Sequence, residues 1–138
     1  MSTTRQNILA RIKEDLEAIT SIKEVYQYES GPLDIETAPM PCAFIYSSSE
    51  ARLTDARSVI GYETWAWQIV IEVWAVDKDM EDLLNDIHTK MYTDNSFNNY
   101  AVVSYRTGVD FLFIDPERSL ESMIITYEIV YRHSKGVM

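Results

Sequence analysis

Residues 77–88 hold the densest set of groups able to do chemistry in this chain: Asp77, Asp79, Glu81, Asp82, Asp86 and His88. Carboxylates beside an imidazole suit a divalent cation that activates water for hydrolysis. One reading of the segment is therefore a small metal-dependent hydrolase or ligand-binding α+β domain built on the Asp77–His88 cluster. The same segment carries Met80, Leu83, Leu84, Ile87 and Met91 at helical spacing. Acids opposite such a stripe are the ordinary solvent face of an amphipathic helix, and acids in its first turn complement the helix dipole. This second reading is the stronger, because it needs no ligand. His88 alone does not define a site, and His133, between Arg132 and Lys135, reads as part of a C-terminal tail over about 133–138.

Other chemistries find less. Cys42 stands at the start of an apolar strand, where a buried thiol is inert. The glycines, Gly31, Gly61, Gly108 and Gly136, are too scattered to cradle a phosphate. Tyr26, Tyr28, Tyr62, Tyr100 and Tyr105 would need a positive groove to stack nucleobases, and the chain is acidic. No catalytic, cofactor-binding or metal-ligating residue is assigned, and the chain is expected not to be an enzyme.

The elements that would position any site follow from hydrophobic spacing. Ile8, Ile12, Leu16 and Ile19 line one helical face, which predicts a helix over about residues 4–20, with Ser2, Thr3 and Thr4 as capping candidates. Val25–Tyr28 is a short strand that stops at Gly31-Pro32, and 31–41 is an extended crossing loop. A second strand is expected at about 41–49, and the polar run Ser47–Ser58 reads as a hairpin tip. From Gly61 to Val76 the positions Trp65, Trp67, Ile69, Ile71, Val73 and Ala75 alternate as a wholly apolar set. At about 3.3 Å per residue that ribbon would reach about 50 Å, against a sphere about 37 Å across for a compact domain of this length. It must bend or leave the body, and the stretch from Ile60 to Thr64 is expected to project.

The Asp77–His88 segment is the second helix, at about 79–92. A strand follows at about 100–107, which Val109–Ile114 either continues or leaves, and a last ribbon over about 119–132 alternates Met123, Ile125, Tyr127, Ile129 and Tyr131. The predicted order is α-β-β-β-α-β-β: an α+β fold with two helices on one face of a single, mostly antiparallel (mixed) sheet and a long projecting β-hairpin at about 44–68.

Composition bounds the rest. The 138 residues form one domain, and a net charge of −10 argues against a protein that grips nucleic acid, whose affinity comes from Lys and Arg. One cysteine, no leader and no bilayer-spanning apolar run point to a reducing cytoplasm and no membrane. The ribbon's second face, Tyr62, Ala66, Val70, Trp74 and Val76, is only partly polar, so apolar surface remains for association with protein.

Four segments carry a resemblance over nearly the whole chain: Pro39–Tyr46, Trp65–Trp74, Met80–Tyr92 and Met123–Tyr131. In order and character they resemble the tail terminator (tail completion) proteins of tailed bacteriophages. The resemblance implies a structural protein of the virion's tail-neck junction, assembled in the host cytoplasm. It implies a homo-hexameric ring that caps the tail tube, stops its polymerisation and offers a docking surface to head-tail connector or neck proteins. Genomic DNA would then pass through the lumen without specific binding, which an acidic chain suits. A neck or head-closure protein is the alternative of the same class. On this reading the ring is made at the outer hairpin, and the candidate subunit or partner contacts are Arg52, Leu53, Asp55, Arg57, Tyr62, Trp65 and Trp67.

Overall fold

The computed structural model describes residues 4–27, 41–52, 62–76, 80–94, 96–97, 101–115 and 120–134. Helix α1 (Thr4–Glu17) forms where Ile8, Ile12 and Leu16 recur every four residues, and all three are fully buried. Burying side chains of this size contributes about 1.5–3 kcal/mol each. The helix ends at Glu17 and not near residue 20, because Ile19 N–H bonds Leu16 C=O and Ile22 N–H bonds Ile19 C=O, each at 3.1 Å. Thr20 and Ser21, residue types of modest helix propensity, occupy these tight turns. Ile19 and Ile22 are both delivered to the core.

Strand β1 (Glu24–Gln27) runs parallel to β2 (Cys42–Arg52), with Val25 opposite Ala43. β2 pairs antiparallel with β3 (Tyr62–Val76), and β5 (Leu120–Ser134) lies antiparallel along the whole other side of β3. β4 (Val103–Asp115) pairs with β5, giving the sheet order β1-β2-β3-β5-β4. The sheet is mixed and mostly antiparallel, and the element order is α-β-β-β-α-β-β. On one face Trp67, Ile69, Ile71, Val73 and Ala75 of β3 meet Met123, Ile125, Tyr127, Ile129 and Tyr131 of β5, none more than 2% exposed. That is the period-2 alternation of a strand with one covered face. Helix α2 (Met80–Thr93) adds Met80, Leu83, Ile87 and Met91 to the same cluster. α1 lies against β1, β2 and β5, and α2 against β4.

Several boundaries differ from the sequence reading, each for a local reason. Ser47–Arg52 is strand, not hairpin tip: it pairs with Trp65–Ile69 through a register shift between Ser47 and Ser49. Its hydroxyls are used across the ladder, since Trp67 Nε1–H donates to Ser47 Oγ at 2.7 Å and the Ser49 hydroxyl to Gln68 Oε1 at 3.2 Å. Low β-propensity is overridden by cross-strand partners. β4 continues past Gly108 to Asp115, absorbing a register shift between Arg106 and Gly108. His133 is not in a tail, because β5 runs to Ser134 and pairs His133 with Glu63. Phe97 takes a φ of 48°, a region that costs a side-chain-bearing residue energy. Its ring is fully buried, and its N–H bonds Asp94 C=O at 3.0 Å.

Candidate functional site

The acidic segment behaves as a helix face. Glu81, Asp82 and Asp86 are exposed on α2, on the side away from its buried stripe, and His88 is half-buried with its ring 6.3 Å from that of Tyr92. Asp77 and Asp79 lie outside the described residues. Among the described residues no three His, Cys, Asp or Glu side chains converge on a metal position. Cys42 is buried, and burial, with the charges of Glu72 and Glu24, pushes its thiol up to about 11. It stays a thiol at neutral pH.

The expected interface residues scatter. Trp67 is 1% exposed, in edge-to-face contact with Tyr131 at 6.0 Å, so it is a core residue with no surface left for a partner. That corrects its assignment to the interface. Trp65 is half-buried and packs on the core. Arg52 pairs with Trp65 and Tyr62 with Ser134 in the sheet, while Leu53, Asp55 and Arg57 lie outside the described residues. The β2–β3 hairpin is flanked by β5 along all of β3, and with Val103 of β4 opposite Val130 the sheet is four strands wide at Ala51 and Ala66.

α1 also reaches this outer half. Arg5 approaches Glu50 at 3.5 Å, and the Tyr131 hydroxyl donates to the same carboxylate. Burial, then the hydrogen bond and charge of Glu50, push the Tyr131 phenol up. The ribbon's second face is likewise in use. Glu72 accepts from Trp74 Nε1–H at 2.8 Å and from the Tyr46 hydroxyl at 3.4 Å, Tyr26 stacks on Phe44 at 5.3 Å, and Val70 is 7% exposed.

A second polar cluster ties the helices together. Arg11 Nε donates to Asp94 Oδ2 at 2.6 Å, and its guanidinium also lies 3.6 Å from Glu14 and 3.9 Å from Asp15. Burial, followed by the hydrogen bond and charge of Asp94, pushes Asp15 up to about 7, against the opposing pull of Arg11 and Lys90. No periodicity signals this cluster, since its members come from α1 and from the turn after α2.

Among the described residues the exposed apolar surface gathers instead along β4. Phe111 is 50% exposed, Leu112 43%, Tyr105 47% and Val102 51%, and Tyr92 of α2, near Tyr105, is 75% exposed. Among the described residues β4 pairs on one side only, with β5. Between this strand and α2 runs a groove of about 420 Å³ lined by His88, Met91, Tyr92, Tyr105, Arg106 and Tyr127, among others. Sequence reasoning named Tyr105 and His88 singly and assigned them no shared site, because only the β4–β5 register brings β4 alongside the Tyr127 row.

No protein-family model and no curated protein matches this chain. Among solved structures it is similar to a chain of the virion of a native gene transfer agent particle, at 12% identity and a TM-score of 0.45, over 90% of this chain and 93% of that one.

Proposed function

We propose that this is a structural, non-enzymatic protein of a tailed-phage virion that caps the tail tube as a hexameric ring. In that role it ends tube polymerisation and presents a docking surface to head-tail connector or neck proteins, with the acidic chain lining a channel that genomic DNA crosses. The element order agrees with the resemblance that suggested this role. The observation that carries it is the β4 edge, where a strand that pairs on one side only among the described residues displays Tyr105, Phe111 and Leu112 to solvent. An open strand edge rich in apolar side chains is a template for another chain, and heterologous contacts that close make rings.

Electron microscopy of the protein mixed with tail tubes tests the reading. Six-fold rings at tube ends, with tube growth arrested, are the expected result. Tubes that lengthen unchanged, together with a 16.0 kDa monomer by light scattering in their presence, would sink it.

A further inference from the structure

The register shift between Arg106 and Gly108 changes which side of the sheet the residues of β4 take. Ser104 and Arg106 before it, and Val109 and Phe111 after it, stand opposite Ile129, Tyr127, Ile125 and Met123, the helix-covered row of β5. Tyr105, Gly108, Asp110 and Leu112 stand opposite Glu128, Thr126, Ile124 and Ser122 and take the other face. Residues directly opposite in an antiparallel pair share a face. A second copy of β4 laid antiparallel against the first therefore keeps its faces matched when Thr107 of each copy stands level with Gly108 of the other. Ser104 is then opposite Phe111, Val103 opposite Leu112 and Tyr105 opposite Asp110, each pair occurring twice.

We infer that the β4 edge is the contact between two copies of this chain free in solution, paired antiparallel about a two-fold axis at Thr107–Gly108. Three features favour a second copy as the occupant. The chain carries a net charge of −10, yet Val103–Leu112 holds one cation, Arg106, and one anion, Asp110, both exposed. Two copies can meet there without repulsion, and the two-fold sets the Arg106 end of each strand against the Asp110 end of the other. Phe111 of one copy comes level with Ser104 of the other, on the face where Ser104, Arg106 and Tyr92 line the groove of about 420 Å³. At the midpoint a Cβ on Gly108 would meet no heavy atom within 4 Å, which leaves room for a second backbone. Such a contact is isologous, each copy offering the same surface. One strand edge is a small interface, so the dimer is reversible and dissociates on dilution. The inference goes beyond the ring reading and competes with it for the same edge.

Sedimentation of the free full chain is expected to show, as concentration rises, a species of twice the 16.0 kDa monomer, which Phe111→Lys with Leu112→Lys abolishes. Cysteine cross-linking locates the contact. In this register the two Gly108 Cα atoms stand about 6 Å apart, inside the span of about 4.4–6.8 Å that a disulfide takes. Gly108→Cys should therefore oxidise to a covalent dimer. Asp110→Cys, about 17 Å from its twin, should not, and nor should the parent, whose Cys42 is buried. A monomer at every concentration overturns the inference, even if rings form on tail tubes. So does a dimer that survives the double lysine change, or one that Gly108→Cys fails to lock. Cross-linking of Asp110→Cys as readily as Gly108→Cys would mean random collision and also overturns it. The expected dimer, beside tubes that never gain rings, would remove the ring reading alone.

Discussion

β3 and β4 are long strands of one sheet, of 15 and 13 residues, yet they treat their aromatic residues in opposite ways. β3 is central, and Trp67 is closed over by its neighbours and linked to Ser47. β4 is an edge, and Phe111 and Leu112 stay about half open to water. The difference lies in position and not in residue type. A central strand has partners on both sides and a helix layer above, so each inward side chain is covered. An edge strand has neighbours on one side only, and its apolar side chains remain for another molecule. Among the described residues the surplus surface expected on the second face of β3 sits on β4 instead, because Glu72, Tyr46, Trp74 and Phe44 tie that second face together.

Three measurements would break or sharpen this contrast. The largest effect is expected from Trp67→Ala, which should cost about 3–5 kcal/mol in urea unfolding, as large-to-small changes in a packed core do. A loss below about 1 kcal/mol would mean that the inner face of β3 is looser than its burial implies.

The helix layer gives the next test. Asp15 is pushed up to about 7 in the fold from an ordinary 3.8, so the folded state holds the extra proton between those values. Stability should therefore fall as pH rises from about 4 to about 7 and then level off. Asp15→Asn should flatten that slope and exceed the parent by about 1–2 kcal/mol above pH 7, with near equality at pH 4. Parallel profiles for the two proteins would show that the α1–α2 joint does not hold its carboxyl protonated.

The smallest effect on stability belongs to the edge. Phe111→Lys with Leu112→Lys should stay within about 0.5 kcal/mol of the parent, as exposed positions do, yet abolish rings on tail tubes. A loss approaching that of Trp67→Ala would erase the distinction between the two strands, and intact rings would move the subunit contact away from β4.

The elements were largely legible because their spacing reports burial directly. Ile8, Ile12, Leu16 and Ile19 lie at helical intervals and are all buried, and the alternating residues of β3 and β5 share one covered face. The hairpin's polar half was not legible: Ser47, Ser49 and Glu50 look like turn residues until the partners Trp67, Gln68 and Tyr131 stand beside them. The groove was hidden for the same reason, since His88 of α2 and Arg106 of β4 come to line one opening only through the β4–β5 pairing.

By itself the sequence determined which residues turn inward, how many elements there are and their order, because local period and side-chain polarity set these within a few neighbours. Only the tertiary structure decided that Trp67 is core and Phe111 surface, that Arg11 meets Asp94, and that His88, Arg106 and Tyr127 share one groove. Those outcomes depend on strand order and register, which place residues far apart in the chain within a few ångströms of each other. No local pattern encodes that proximity.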